Sequence, residues 1–355
     1  MHLCNTPIHK QKEKKELVLN LAEVLPAEKT ESFESSMVNI YHSDSLSLYN
    51  EWPTPTAIVS DGAYGVEGFE GDTRGVKALP EWYSPHIAAW SKFSAPYTTL
   101  WFWNTERGWA TVHPILEKHG WEYVACNVWN KGKGHVAGNA NSKTLRRFPV
   151  VTEVCVQYVR DVRIDNKTLQ FWLIDEWKRS GLPFYKANEA CGVKNAATRK
   201  YLTKCHLWYF PPPEAFARMS NFANEHGMPE GKPYFSLDGN SPLTANQWEL
   251  MRSKFSCPYG ITNVWDHPPL RNGERVKNGS KALHLNQKPL ALMDTIIEAS
   301  TNQGDVIWEP FGGLFSASIS AKNLSRVAYS GEINQKVYRF GLHRVQQAVQ
   351  SLQLL

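Results

Sequence analysis

From residue 37 onward the chain repeats one pattern. Short runs of β-branched and aromatic residues alternate with stretches whose apolar positions recur every three or four residues. "VNIYHSD" (38–44) predicts a strand ending at Asp44, and "TAIVSD" (56–61) predicts another ending at Asp61. "LPEWYSPHIAAWSKF" (79–93) has helical spacing, and "YTTLWFWN" (97–104) is rich in strand formers. "RGWATVHPILEKHG" (107–120) predicts a helix closed by Gly120. "WEYVACNVW" (121–129) and "FPVVTEVCVQYVR" (148–160) predict two further strands. Strands and helices alternating at this spacing imply an α/β fold on a parallel sheet.

The pattern breaks near residue 161. The next segment is helical to about 227, is interrupted at Pro211-Pro212-Pro213, and is followed by loop-rich sequence over 230–280. Alternation resumes near 284. The expected layout is an N-terminal extension (1–36, a tail or one loose helix), an α/β half (37–160), a largely helical insert (161–280) and a second α/β half (281–355).

Composition excludes more than it identifies. Hydrophobic residues make up 42% and charged residues 21%, as in an ordinary globular protein. No apolar run reaches the ~18 residues of a membrane span. The first residues lack the apolar core of a secretory signal. Six scattered cysteines contain no CxxC pair, which argues against a zinc site and a disulfide framework and for a cytoplasmic location. Cys257-Pro258 reads as an ordinary loop cysteine. The net charge of +5 says little, but its distribution says more. Residues 123–152 contain Lys131, Lys133, Arg146 and Arg147 and no acid, within a Gly- and Asn-rich stretch. That is either a solvated loop or a phosphate-contacting one.

The densest local chemistry lies at 305–334, "DVIWEPFGGLFSASISAKNLSRVAYSGEIN". A strand, the tight turn Glu309-Pro310-Phe311-Gly312-Gly313, a small-residue helix and a strand ending on Glu332 form one βαβ unit. Its glycines allow a ligand to approach the backbone, and Glu332 is spaced to bind ribose hydroxyls. A plain α/β unit with a chance glutamate would read similarly. The chain has no GxGxxG and no phosphate-binding GxxxxGK[ST], which weighs against NAD and ATP and favours S-adenosylmethionine.

These segments resemble the β-group DNA amino-methyltransferases, which methylate adenine N6 or cytosine N4. The matching positions are His284, Gln287, Lys288 and Pro289, then Pro310, Phe311 and Gly313, then Gly331 and Glu332. Ser43-Asp44 matches that family's opening strand end, and Asp61-Gly62-Ala63-Tyr64 stands at its catalytic Asp-Pro-Pro-Tyr. A Trp-x-Lys (Trp129 to Lys131) and Glu153 match its later strands. The resemblance implies a Rossmann-like methyltransferase sheet with helices on both faces. It implies an S-adenosylmethionine site made by Asp44, Gln287, Lys288, Pro289, Glu309, Pro310, Phe311, Gly312, Gly313 and Glu332. It also implies a catalytic loop in which Asp61 and the Gly62 carbonyl accept the two hydrogens of the target amine while Tyr64 stacks on a flipped base. Three departures stand out: Gly62-Ala63 for two prolines, Glu309 for aspartate, and Leu314-Phe315 for Ser-Gly.

The insert occupies the position of the family's target-recognition region. Residues 182–204 read as a helix-turn-helix, with Lys194, Asn195, Thr198, Arg199 and Lys200 on the second helix, or else as a plain helical hairpin. The resulting expectation is a methyltransferase of double-stranded DNA, with adenine preferred over cytosine, in a restriction-modification or orphan modification system. An inactive DNA-binding relative and an RNA methyltransferase are the alternatives. A cognate restriction endonuclease as partner stays open, as do monomer and dimer.

Overall fold

The central strands of the main sheet are buried on both faces, and this organises the molecule. The computed structural model describes residues 31–66, 72–133, 146–194, 197–229, 231–270, 277–278, 281–282 and 287–350. Its elements begin with β1 (Ser32–Glu34), β2 (Val38–His42), β3 (Ala57–Ser60), α1 (Leu79–Phe93), β4 (Thr99–Asn104), α2 (Glu106–Lys118), β5 (Trp121–Asn130) and β6 (Thr152–Arg160). A small hairpin, β7 (Arg163–Ile164) and β8 (Lys167–Thr168), leads into α3 (Leu169–Arg179), α4 (Lys186–Cys191), α5 (Pro213–His226) and α6 (Ala245–Glu249). Then follow β9 (Val264–Asp266), the short pair β10 (Lys277–Asn278) and β11 (Lys281–Ala282), and α7 (Leu290–Ser300). The chain closes with β12 (Val306–Glu309), α8 (Ser316–Asn323), β13 (Val327–Glu332) and α9 (Gln335–Gln350). No described helix is long and apolar enough to cross a membrane.

One sheet runs β1-β2-β13-β12-β3-β4-β6-β5-β9. Alternate residues of each strand feed opposite cores, as strand geometry demands. Ile58, Leu100 and Phe102 pack with α1 and α2. Ala57, Val59, Trp101 and Trp103 pack with α7 and α8 on the other face. Thus the expected α/β sheet with helices on both faces is present. The adjacent parallel strands β3 and β12 send their following helices, α1 and α8, to opposite faces. Such a divergence opens a crevice at the carboxyl ends of the strands, where ligands of α/β sheets bind.

The sheet is mixed, not wholly parallel. β6 runs antiparallel to both β4 and β5, and β1 antiparallel to β2. A parallel return from β5 would need a crossover helix. The sequence between β5 and β6 is polar, rich in Gly and Asn, and lacks the apolar period of a crossover helix.

Helices α3 to α6 enclose a core of their own. At its centre the Trp248 ring lies between Phe210 and Phe216, each 4.4 Å away between centroids and nearly parallel. The main sheet resumes at β9, which pairs in parallel with β5. The helix-turn-helix expected over 182–204 is not formed. Gly192 makes the left-handed turn (φ +65°) after α4, but a single 3-10 turn, Ala197–Lys200, stands where the second helix was expected. Thr198 turns inward, and its backbone N–H and hydroxyl both donate to Asn188 Oδ1, at 3.1 and 2.7 Å. Such local side-chain bonding competes with helix propagation. Asn195 lies outside the described residues.

Candidate active site

Four parallel strands carry a carboxylate at or just beyond their carboxyl ends: Asp44 after β2, Asp61 after β3, Glu309 closing β12 and Glu332 closing β13. Their surroundings give each a different task.

Asp61 faces a buried lysine. Lys288 Nζ donates to both of its oxygens, at 2.7 and 2.9 Å, and to the Tyr64 hydroxyl at 3.0 Å. The Tyr64 hydroxyl in turn donates to Asp61 Oδ1 at 2.8 Å. The Lys288 side chain is 2% exposed, whereas that of Asp61 is 19% exposed and so keeps an opening to solvent. Lys288 also lies 3.4 Å from Glu153 Oε2, and Glu153 is ion-paired with Lys131, whose ammonium sits over the Trp129 ring. Two carboxylates and two ammonium groups therefore balance in charge. Burial alone would lower the Lys288 pKa, but Asp61 and Glu153 beside it raise it above the ordinary lysine value. Burial would raise Glu153, but Lys288 and Lys131 hold it below the usual carboxylate value. Burial, with Asp61 and Glu153 nearby, pushes the Tyr64 phenol well up, so it stays a proton donor.

The sequence places Lys288 on the cofactor side and Lys131 against DNA phosphate. In the fold the Lys288 ammonium bonds Asp61 and lies near Glu153, and the Lys131 ammonium pairs with Glu153. A buried Glu153 needs a cation, and these two are in reach. Tyr64 is 5% exposed with its hydroxyl engaged, an inward pose rather than an exposed stacking face.

The backbone of 61–64 is held from several sides. The Ala63 carbonyl accepts from the Tyr83 hydroxyl at 3.0 Å and Asn104 Nδ2 at 2.9 Å. Among the described residues no hydrogen bond reaches the Gly62 carbonyl. A Cβ at Gly62 would lie 2.6 Å from the Phe311 ring and 2.8 Å from the Tyr83 hydroxyl, so this packing leaves no room for the missing proline. Phe311 itself packs on Trp82 and His86, with centroids 5.0 and 4.8 Å away.

On the β12 side, Glu309 is turned onto the next helix. Its oxygens accept from Ala317 N (2.9 Å), Ser318 N (2.8 Å) and Ser318 Oγ (2.6 Å), at the start of α8. Burial raises its pKa to about 7. The turn after it is fixed by backbone and hydroxyl contacts. Ser45 Oγ donates to the Pro310 carbonyl at 2.6 Å, and Gly312 N donates to the Gly331 carbonyl at 2.8 Å. Glu332 accepts from Gly313 N (2.7 Å) and Asn334 N (2.8 Å), and Asp44 accepts from Leu46 N (3.0 Å). Phe315 adopts a left-handed backbone (φ +56°), and its ring is buried with Val38, Ile40 and Tyr338. The departure from Ser-Gly therefore fills core. Gln287 is buried, and Pro289 leads into α7. His284 lies outside the described residues.

Of the other basic residues, Lys133, Arg146, Arg147, Lys194, Arg199 and Lys200 are exposed. Lys200 Nζ lies over the Tyr201 and Tyr209 rings at 5.3 and 4.8 Å. Sequence reasoning missed Asp72, which binds the loop that follows β3. Its sequence signal is weak, because Asp72 is the third acid of a Gly-rich stretch that also holds Glu67 and Glu70.

Known proteins bear on this arrangement. Residues 49–342 match the family model for N6 and N4 DNA methylases. DNA adenine methyltransferase YhdJ of Escherichia coli (strain K12) is 38% identical over 84 residues, 23% of this chain and 27% of that one. Type II methyltransferase M.ScaI of Streptomyces caespitosus is 25% identical over 185 residues, 50% of this chain and 55% of that one. The chain thus spans between about a quarter and about half of these relatives' lengths. The crystal structure of an M1.HpyAVI–SAM complex is similar over 87% of this chain and 99% of its own, with 17% identity and a TM-score of 0.48. Because the family match runs through both halves of the sheet and the insert between them, the chain belongs to the N6/N4 DNA methylase family.

Proposed function

We propose that the chain is an S-adenosylmethionine-dependent methyltransferase of double-stranded DNA, acting on the exocyclic amine of a flipped base, with adenine N6 preferred over cytosine N4. The observation that carries this reading is Asp61, a partly open carboxylate at the end of β3 held on both oxygens by Lys288. A carboxylate offers about four lone-pair sites. Three are used here, two by Lys288 and one by Tyr64, so Oδ2 keeps a site for one amine hydrogen. The Gly62 carbonyl accepts the other. Together they draw the nitrogen lone pair out of conjugation and stabilise the positive charge that develops there. The proton released after transfer leaves through Asp61. Counted with Asp61, the Lys288–Glu153–Lys131 group is neutral, which keeps the site from presenting a net cation to that charge.

The residues fit S-adenosylmethionine. Bound, it supplies a sulfonium methyl group. Glu332 suits ribose hydroxyls, as a carboxylate that closes β13 beside the Gly312-Gly313 turn and already bonds Gly313 N and Asn334 N. The Gly312-Gly313 turn, Pro310, Phe311, Asp44, Gln287 and Pro289 are proposed to complete this site. Glu309 serves through the helix it caps.

Aspartate at the first catalytic position and the name of the adenine-methylating relative support adenine. The type II relative supports a modification system with a cognate endonuclease, in the cytoplasm. Exposed Lys133, Arg146, Arg147, Lys194, Arg199 and Lys200 supply phosphate contacts. Asn195 is proposed to join them. Mass spectrometry of nucleosides from DNA incubated with protein and S-adenosylmethionine tests the reading. N6-methyladenine is expected; N4-methylcytosine would reverse the base preference, and neither product would overturn the activity.

A further inference from the structure

The loop after β3 lacks the two proline rings that its resemblance to Asp-Pro-Pro-Tyr implies, and Gly65 adds a left-handed position (φ +74°). A backbone of this kind is intrinsically loose. Four of its N–H groups nevertheless converge on a single carboxylate. Asp72 accepts from Tyr64 N at 3.0 and 3.1 Å, Gly65 N at 2.8 Å, Val66 N at 3.2 Å and Thr73 N at 2.6 Å. Successive N–H groups pointing inward form a cradle for an anion, and here the chain fills it with its own side chain. Hydrogen bonds to an ionised acceptor are among the stronger ones available. Residues 64–66 and 72 belong to no helix or strand, so these bonds are not by-products of regular structure.

The grip is complementary to the others on the loop. Tyr83 and Asn104 hold the Ala63 carbonyl, Phe311 abuts Gly62, and the Tyr64 hydroxyl is bonded to Asp61 and Lys288. Only Asp72 binds the N–H side of the described loop. We infer that Asp72 is a positioning residue for methyl transfer: by fixing the backbone of 64–66 it sets the Tyr64 hydroxyl, and through it the orientation of the Asp61 carboxylate toward the amine. Charge-assisted bonding here does the work of ring rigidity. The inference rests on the methyltransferase reading of Asp61. Asp72 itself touches no reacting atom.

Misplacement of a reacting group by about 1 Å can cost about 100-fold in rate. Asp72→Ala in the full chain is therefore expected to lower kcat about 100-fold, with KM for DNA and for S-adenosylmethionine within about threefold of the unmodified protein. Asp72→Asn keeps the size and one acceptor oxygen, and is expected to recover about a tenth of the activity. Hydrogen exchange reads the clamp without reference to activity. The amides of 64–66 should exchange at least about tenfold faster in Asp72→Ala, while those of β3 and β12 keep their rates. Three results would overturn the inference: kcat within threefold in Asp72→Ala, unchanged exchange at 64–66, or loss of activity accompanied by faster exchange across β3 and β12. Failure of the unmodified protein to methylate either base would sink the functional reading, whereas the exchange data judge the clamp separately.

Discussion

Asp61 and Glu309 look alike in the sequence: each is a carboxylate closing a short apolar run, on two strands that pair in parallel. In the fold they have opposite fates. Asp61 meets a buried ammonium and keeps a fifth of its side chain open. Glu309 is 5% exposed and spends its oxygens on the first turn of α8. Burial drives its pKa up to about 7, and the helix donors and Arg344 pull it back only in part. A strand-end carboxylate thus stays partly open where it meets a buried cation at the surface. Where a helix N-terminus comes first, it becomes a cap. Glu332 lies between these cases, bonded to two backbone N–H groups at the rim.

The comparison can be broken most sharply at Asp61. Asp61→Ala is expected to reduce single-turnover methyl transfer by about 1,000-fold while duplex binding is retained. Residual turnover above about a tenth would place the chemistry elsewhere. Next comes Lys288→Met, which leaves Asp61 and Glu153 facing each other without their shared cation. Removing one partner of a buried ionic group costs about 3–5 kcal/mol, and urea unfolding should show it. Adding Glu153→Gln should restore part of the loss; simple additivity of the two changes would contradict a shared network.

Glu309→Ala should cost about 1–3 kcal/mol of stability by orphaning buried donors of α8. Turnover well below the melting temperature should stay within about threefold; a selective collapse of turnover would instead align Glu309 with Asp61. The pH dependence separates the two buried glutamates by sign. Glu309 has a raised folded pKa, so its contribution to stability is full below about 4.5 and is lost as pH rises through about 7. Glu153 has a lowered one, so its contribution is present above about 4.5 and is lost as pH falls. Melting temperatures of Glu309→Gln and Glu153→Gln, each referred to the unmodified protein between pH 4 and 8, should diverge by a few degrees with opposite slopes. The smallest effect contrasts two lysines that the sequence presents alike. Lys200→Ala should lower the slope of log affinity against log salt by about 1, whereas Lys131→Ala should leave it unchanged.

The sequence by itself determined the strands from β2 to β6, the βαβ unit at 306–332, the strand-end acids and the interruption near 161. Each of these depends on a local period or a local turn, and such signals survive in a linear reading. The alternation of elements implied a parallel sheet, whereas β6 runs antiparallel; the signal lay in the bridge from β5, too polar for a crossover helix. The sequence could not show that Thr198 would bond Asn188 and forestall a second helix. Tertiary structure alone decided the site's electrostatics. Lys288 reaches Asp61 across 227 positions, and Lys131 and Glu153 meet only because β5 and β6 pair. Asp72 gains its role from the three amides of 64–66, which converge on it only once the loop is folded. Charges interact through space and are weighted by burial, and neither the distance nor the burial is a property of sequence order.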